Sequence, residues 1–177
     1  MDILRRIELL LNDPIFNKHM QRNAELEIEP QFCRHDIHHH IDVARIAYIL
    51  VLEHNDLNYF VKEADLTGRL AAKEVIYAAG LLHDIAKWKE YEAGAEHAAI
   101  GARIAREILP RVFFNPHEVD IICQAVYEHR NISRDMSFLG ERIHRADNLS
   151  RVCIKCEHRM ACPKVKNKEI TITAFEY

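Results

Sequence analysis

The sequence predicts an all-α protein, and three observations support that class. Apolar residues recur at the helical period over nearly the whole chain. Glycine and proline contribute only five residues each to the 177, and no low-complexity linker interrupts the chain before about residue 150. Hydrophobic residues make up 49% of the sequence, which is enough for a core, and this length fits one domain.

Proline and glycine mark most of the breaks between the expected helices. Pro14 lies at the first break, and Pro30 interrupts the chain before a long central helix. Gly94 and Pro110 lie at later boundaries. The pattern therefore predicts helices over residues 2–11, 14–23, 35–54, 69–80, 94–109, 116–129 and 138–150.

The C-terminal part differs in composition from the rest. After about residue 150 the chain holds three cysteines, a basic stretch from Lys164 to Lys168, and the segment ITITAF, which alternates like a strand. We therefore expect a helical domain over residues 1–150 and a cysteine-containing C-terminal extension over residues 151–177 that packs on the same domain.

Charge and hydropathy argue against several classes of protein. The formal net charge is −3 and neither sign is concentrated in a tail, which argues against a dedicated nucleic-acid or anionic-membrane surface. No segment approaches the roughly 20 apolar residues that span a bilayer, and the first residues lack the layout of a signal peptide. We therefore expect a soluble cytoplasmic protein, in which five cysteines do not form a disulfide framework. Cys123, in an Ile-Ile-Cys run, is expected in the core.

The chain contains twelve histidines, a high number for its length, and one of them adjoins an aspartate. His83 and Asp84 interrupt the apolar run LLHDIAKW at residues 81–88. Imidazole and carboxylate groups are ligands for zinc, manganese and iron, and carboxylates also for magnesium. Adjacent residues point about 100° apart on a helix, so both reach one ion best where the helix ends. The pair by itself also fits a helix-capping histidine beside a solvated aspartate.

Two further polar residues lie inside apolar helical patterns. His39 occurs in HHHIDVARIA, and Asp147 occurs in RADNLSR as a lone carboxylate. A buried carboxylate without a cation is costly. Three separate helices could therefore supply ligands to one cation. These ligands would be His39, His83, Asp84 and Asp147.

The order of these motifs, HxxxVA, then LLHDIAK, then ADNLS, resembles the HD-domain superfamily of metal-dependent phosphohydrolases. His39 matches the first histidine of that pattern, because Val-Ala follows it at the family's spacing. His83 and Asp84 match the central doublet, and Asp147 matches the final aspartate. The match covers about residues 30–150. The resemblance implies an orthogonal helical bundle that binds divalent metal.

Two later histidines fall where a two-metal branch of the superfamily has additional ligands. His97, in AEHAAIGARIA, would start the helix after the doublet, and His129, in AVYEHRN, would end the next one. The chain looks most like the bacterial diadenosine tetraphosphate hydrolase group of that branch, in which the doublet aspartate bridges two iron ions. The resemblance implies this bridging role for Asp84. From the residues alone, His97 could instead be an exposed helix-start residue and His129 a C-terminal cap favoured by the helix dipole.

Histidines 38, 39 and 40 cannot all face one site, because a helix turns about 100° per residue. We therefore expect one to face inward and two to face elsewhere, and the resemblance selects His39. His35, one turn earlier on the same side, is a candidate partner of a ligand or a substrate contact, with a surface histidine as the alternative. The remaining histidines are expected at the surface or at helix caps, namely His19, His54, His117, His144 and His158.

The implied chemistry is attack on phosphorus by a metal-activated water. Asp84 is the candidate bridging residue, and Lys87 is placed to meet a phosphate unless it is a solvated lysine at a helix end. Arg34, Arg130 and Arg151 are weaker candidates for the same task. No P-loop or Rossmann glycine pattern occurs. The stretch HHExxxGxGYP is also absent, which disfavours a cyclic-di-GMP substrate.

The C-terminal extension contains the spacing C-x2-C-x5-C at Cys153, Cys156 and Cys162. Thiolates at such a spacing can share a zinc ion or an iron–sulfur cluster. Three ligands are one short of a closed site, and Cys33 or His158 is a candidate fourth. The alternative is that these residues are reduced free cysteines whose spacing is accidental.

Two functions fit the sequence. The first is a phosphohydrolase that cleaves a phosphoester or phosphoanhydride bond of a nucleotide or dinucleotide, with divalent ions, expected to be two, that could be iron, manganese, zinc or magnesium. The second is a non-catalytic HD module that binds a nucleotide or a partner as a sensor. A complete set of ligand positions favours the enzyme. A homo-oligomer is compatible with the sequence but has no specific support in it.

Overall fold

The computed structural model describes residues 4–27 and 33–167, and within these ranges the secondary structure is helical, without a strand. The all-α class is therefore confirmed. The segment ITITAF, expected to alternate like a strand, lies outside the described residues. The α-helices of the described ranges are α1 (Arg5–Asn12), α2 (Pro14–Leu26), α3 (Ile37–Glu53), α4 (Leu57–Glu63), α5 (Arg69–Leu82), α6 (Lys87–Ala93), α7 (His97–Ile108), α8 (Pro116–Glu128), α9 (Phe138–Leu149) and α10 (Pro163–Lys166).

The short helices are those that the sequence pattern did not predict. α4 and α6 have seven residues each and α10 has four. Two turns or fewer are too short to show a helical period. α6 matters for the site, because the turn that holds His83 and Asp84 lies between the end of α5 and the start of α6.

Several helices start where a side chain accepts from free backbone N–H groups or where proline removes one. Asp13 caps α2 by accepting hydrogen bonds from the backbone N–H groups of Ile15 and Phe16, and Pro14 occupies the first helical position. At α8, Asn115 and Glu118 form a reciprocal capping box. These local signals explain why both starts agree with the sequence prediction.

The core lies between the long helices that carry the polar motifs. α3 packs on α5 and α9, while α8 packs on α5, α7 and α9. α3 and α5 approach closely at Gly80, where an added Cβ would lie 2.5 Å from the Ala44 Cα. A side chain at this position would therefore force the two helices apart.

A half-buried arginine of α1 connects three helices through two ion pairs. Arg6 Nε lies 2.7 Å from Glu74 Oε2 on α5, and Arg6 Nη1 lies 2.6 Å from Glu118 Oε2 on α8. These ion pairs connect α1 to the two helices that end at His83 and His129. Within the described ranges no helix is long and apolar enough to cross a bilayer.

Candidate metal centre

Six buried polar side chains converge from separate parts of the fold. They come from α3, from the turn after α5, from the start of α7, from the end of α8 and from α9. Each is no more than 8% exposed. The six residues are His39, His83, Asp84, His97, His129 and Asp147.

The first group of potential ligands joins α3, the turn after α5, and α9. His39 Nε2 lies 3.3 Å from Asp147 Oδ1, and His83 Nε2 lies 3.3 Å from Asp84 Oδ2. One ligand atom from each of these four residues lies within 4.8 Å of all the others. Metal–ligand bonds are about 2 Å long, so one ion can be reached by all four side chains.

The second group uses the other carboxylate oxygen of Asp84. Asp84 Oδ1 lies 2.8 Å from His97 Nε2 and 3.4 Å from His129 Nε2. These three ligand atoms also lie within 4.8 Å of one another. The two oxygens of Asp84 therefore face two different groups of ligand atoms.

Two of the histidines are oriented by the free carbonyl groups at helix ends. His83 Nδ1 lies 2.7 Å from the Gly80 oxygen, and His129 Nδ1 lies 2.6 Å from the Val126 oxygen. A carbonyl only accepts, so the Nδ1–H group donates in both cases. The lone pair of each ring is then on Nε2, the nitrogen that faces the site.

His39 and His97 are oriented by side chains instead. The Ser150 hydroxyl donates to the Asp147 carbonyl oxygen at 2.7 Å, so its oxygen can accept from His39 Nδ1 at 3.2 Å. His97 Nδ1 contacts the Glu90 carboxylate. In the neutral ring, both arrangements place the proton on Nδ1 and leave Nε2 free to bind a cation.

The inward-facing atoms fit a cation better than they fit one another. His39 Nε2 and His83 Nε2 are 3.2 Å apart, and both present lone pairs in the tautomers described above. Three further ligand atoms of the centre have no hydrogen-bond partner among the described residues, namely Asp84 Oδ1, His97 Nε2 and His129 Nε2. Buried polar atoms are nearly always paired, and divalent cations would satisfy all of these acceptors.

The pKa shifts of four residues of the centre favour the protonation states that metal ligands need. Burial lowers the pKa of His39 to about 4. Although burial opposes ionisation, neighbouring histidines hold the pKa of Asp84 well below its usual value, and Arg151 does the same for Asp147. Burial also lowers the pKa of His129. Near neutral pH the carboxylates are ionised and these two imidazoles are neutral, as metal binding requires.

Basic side chains border the first group. Arg151 Nη2 donates to Asp147 Oδ1 at 2.8 Å, and Lys164 Nζ lies 3.6 Å from Asp147 Oδ2. Lys164 belongs to the basic stretch of the extension, for which the sequence suggested no role at this centre. A cavity of 230 Å³ connects this region to solvent and is lined in part by His129, Asp147, Arg130 and Lys164.

Lys87, predicted to meet a phosphate, is buried and has a protein partner. Its Nζ atom lies 2.9 Å from Glu90 Oε2, and Glu90 also contacts His97. The alternative of a solvated lysine does not hold, because Lys87 is only 7% exposed. The structure therefore places Lys87 behind the second ligand group. Arg34 lies elsewhere, on a cavity beside the cysteines.

His35 lies beside the first group. It is buried, its Nδ1–H donates to Glu27 Oε1 at 2.6 Å, and its Nε2 lies 3.6 Å from Asp84 Oδ2. Tyr91 also donates to Glu27 Oε1, at 2.5 Å. The alternative of a surface histidine is thus excluded for His35, as it is for His97, which is 3% exposed. His129 is both a helix cap and a member of the centre.

The expectation that only one residue of the three-histidine run faces inward is wrong. His40 is fully buried as well, and its Nδ1 lies 2.7 Å from the Leu81 oxygen. Only His38 is exposed. His40 precedes the core residues Val43 and Ala44 by three and four positions, a helical signal that marks an inward-facing residue. His19, His54, His117, His144 and His158 are half-buried or exposed.

The cysteines are free and belong to neither ligand group. Cys33, Cys153 and Cys156 line a separate cavity of 270 Å³, next to Ser150 and Arg151. Cys123 is buried in the core, as expected, and burial raises its pKa to about 11.

The fold and the centre together define the class of this protein, which is a helical protein with a buried His/Asp site suited to divalent metal. The model of the HD domain family matches residues 36–152, which include all six residues of the centre. The chain therefore belongs to the HD-domain family.

Several relatives are similar to this chain. A Clostridium beijerinckii protein named "Uncharacterized protein" is 34% identical over 157 residues, which are 89% of this chain and 90% of that protein. Ribonuclease Y of Lactobacillus gasseri is 30% identical over 61% of this chain, which corresponds to 19% of its own length. The bifunctional uridylyltransferase/uridylyl-removing enzyme of Bradyrhizobium diazoefficiens is 28% identical over 58% of this chain and 12% of its own length. No solved structure matches the chain significantly.

Proposed function

We propose that this protein is a metal-dependent phosphohydrolase that cleaves a phosphoester or phosphoanhydride bond of a nucleotide or dinucleotide. One observation carries the proposal: the carboxylate of Asp84 faces two ligand groups, one with each oxygen. A carboxylate in this position can hold two cations at a fixed separation. When bound, such cations supply an activated water and neutralise phosphate oxygens.

The histidines that would hold the cations are oriented by hydrogen bonds to groups that are not themselves ligands. Backbone carbonyls orient His83 and His129, while Ser150 orients His39. Partners of this kind fix the ring orientation and raise the affinity for metal. Lys87 contributes to this support in our proposal, because its contact with Glu90 holds the carboxylate against His97.

The chain also offers positive charge for the phosphate. Arg151 and Lys164 both contact Asp147 from the side of the solvent-connected cavities. Arg130 lines the cavity that reaches His129 and Asp147, one ligand from each group. Cations that border a dry site stabilise charge on the transferring phosphoryl group. We therefore assign these three basic residues, and not Lys87, to contact with the substrate.

A nucleotide substrate has support of a different kind. Two relatives are named as a ribonuclease and as a uridylyl-removing enzyme. RNA is a chain of nucleotides joined through phosphate, and a uridylyl group is a single nucleotide attached through its phosphate. Because the chain matches only 19% and 12% of these relatives, their substrates are a guide to the class of compound alone. The dinucleotide alternative rests on the motif resemblance to the diadenosine tetraphosphate hydrolase group.

The test is metal analysis of anaerobically purified protein, followed by hydrolysis assays. We expect two divalent ions per chain and release of phosphate or nucleotide from at least one member of a panel of mononucleotides, dinucleoside polyphosphates and short RNA. Bound ions without turnover on the whole panel would favour the non-catalytic sensor. A chain that binds no divalent ion at the His/Asp centre would overturn both the hydrolase and its mechanism.

A further inference from the structure

A cluster of cysteines lies next to the His/Asp centre. Cys33 precedes α3, while Cys153, Cys156 and Cys162 belong to the extension, and all four lie outside the residues that match the HD family. Cys33, Cys153 and Cys156 line one cavity. Burial raises the pKa of the Cys153 thiol, and the thiols of Cys33, Cys162 and Cys156 raise it further. The fold therefore brings Cys33 close to three cysteines of the extension that are far from it in sequence.

The extension has almost no core of its own. Between residues 151 and 167 only Cys153 is buried. Val152 and Met160 are 62% and 76% exposed. The helical structure of this segment is a short 3-10 turn at Cys153–Lys155 and the four-residue α10. So little buried apolar surface is not enough to hold the extension in one position. Small units with so small a core usually depend on a cross-link or a metal.

Nevertheless the extension delivers Lys164 to the His/Asp centre. Lys164 Nζ lies 3.6 Å from Asp147 Oδ2, and only Pro163 separates Lys164 from Cys162. Arg151, two residues before Cys153, contacts Asp147 on its other oxygen. Arg151 and Lys164 thus lie just before and just after the three cysteines of the extension, so the position of this segment decides where both basic groups lie.

Basic side chains lie around the cysteine cluster. The Arg151 guanidinium lies beside the Cys33 sulfur, and Arg34 lines the same cavity. Lys155 and Arg159 belong to the same short segment. Neighbouring cations stabilise thiolates, and they also offset the net negative charge of a metal ion bound by four thiolates.

We propose that Cys33, Cys153, Cys156 and Cys162 bind a zinc ion that fastens the C-terminal extension to the start of α3. The C-x2-C spacing is typical of structural zinc sites, and the fourth ligand closes the tetrahedron. Among the described residues no three of these sulfurs lie within 4.8 Å of one another. Binding must therefore draw them together, which the half-exposed Cys33, Cys156 and Cys162 permit.

The proposed zinc site does not depend on the proposed hydrolase activity. Its test therefore measures bound zinc and not turnover. The native protein is treated with p-hydroxymercuribenzoate, which displaces zinc from thiolates, and the released zinc is measured with a metallochromic dye. We expect one zinc per chain to be released. Cys156→Ser should lose this zinc, while Cys123→Ala, which changes the cysteine outside the cluster, should retain it.

A second variant separates the two centres. Asp84→Ala removes a side chain from both His/Asp groups and leaves every thiol in place, so its thiol-bound zinc should remain. Limited trypsin digestion provides a structural readout at the exposed Lys155 and Arg159. We expect zinc-loaded protein to resist cleavage there and Cys156→Ser to lose this protection. If the protein is a hydrolase, Cys156→Ser and Lys164→Ala should both raise KM, because both would remove the Lys164 ammonium group from Asp147.

The proposal is overturned if all five cysteines of the native reduced protein titrate as free thiols without release of zinc. It is also overturned if the cysteines hold an iron–sulfur cluster, which visible absorption would reveal. Wild-type protein decides both outcomes, so a variant that fails to fold leaves the test intact. A negative result in the hydrolysis panel leaves the zinc measurement unaffected.

Discussion

The two ligand groups share Asp84, but the charges that surround them differ. The first group contains Asp147, which has Arg151 at 2.8 Å and Lys164 at 3.6 Å. The second group contains Asp84 Oδ1 and two imidazole nitrogens that have no hydrogen-bond partner among the described residues. Part of the negative charge of the first group is therefore offset by the protein, whereas the acceptors of the second group depend on a bound cation.

The two groups also differ in how they are supported. The first is built on α3, α5 and α9, which pack on one another in the core. In the second, His97 depends on Glu90, a half-exposed residue of the seven-residue α6. Burial lowers the pKa of His97, but the carboxylates of Asp84 and Glu90 raise it, so the net shift is upward. We therefore expect substitutions around the centre to weaken metal binding more in the second group than in the first.

The largest effect is expected where both groups meet. Asp84→Ala removes one ligand from each group, so both bound ions should be lost and turnover should fall by more than about 100-fold, the upper end of the loss typical for outer partners of a metal site. Metal content and hydrolysis are measured side by side. Asp120→Ala, an exposed aspartate on α8, is the control and should match the wild type in both. Full metal content in Asp84→Ala would refute a shared ligand.

A smaller and more selective effect is expected from Glu90→Gln. The amide can no longer act as a strong acceptor for His97 Nδ1, so the affinity of the second group for its ion should fall by about 10- to 100-fold while the first group keeps its own. Metal titration by calorimetry resolves the two events. Glu92→Gln, on the exposed side of the same helix, serves as the control. Equal weakening of both events would contradict the proposed asymmetry.

A third pair of variants tests the packing beneath the first group. In Gly80→Ala the new Cβ would meet the Ala44 Cα at 2.5 Å, so the free energy of unfolding should fall by about 1–3 kcal/mol. In Gly101→Ala the atom nearest to the new Cβ is Val126 Cγ1, at 3.4 Å. This variant should be as stable as the wild type or up to about 1 kcal/mol more stable. Urea unfolding of the two proteins gives the comparison, and similar losses in both would show that the α3–α5 contact is not tight.

The smallest effect is expected far from both groups. Asp13 caps α2, and Asp13→Ala should lower the free energy of unfolding by about 1 kcal/mol without changing metal binding. Although burial raises the pKa of Asp13, Arg111 and two backbone N–H groups lower it more, so the net shift is downward. The contribution of Asp13 to the free energy of unfolding is therefore complete above the ordinary aspartate pKa of about 4. This contribution is lost as the pH falls below that value.

The measurement is thermal unfolding of wild type and Asp13→Ala at several pH values. The difference between the two proteins should be constant from neutral pH to about pH 4 and should shrink below that. Asp120→Ala, whose ion pair with Arg106 is exposed, should differ from the wild type by less than about 1 kcal/mol at every pH. A difference that grows on acidification would contradict the assignment.

Most of the long helices could be predicted because their signals are local. The break at Pro14 and the capping residues Asp13 and Asn115 mark starts that the structure retains. The short α4 and α6 could not be predicted, because seven residues do not show a period. The full burial of His40 was missed although its spacing to Val43 and Ala44 contained the signal.

The all-α class, the HD motif pattern and the identity of the candidate ligands can be read from the sequence, since they depend on periodicity and on residue type at fixed spacing. The tertiary structure was needed to show which atoms face one another. It gave Asp84 a different neighbour group at each oxygen, paired Lys87 with Glu90 instead of exposing it, and brought Lys164 to Asp147. Contacts between residues far apart in the chain follow from the packing of whole helices, and no local pattern encodes that packing.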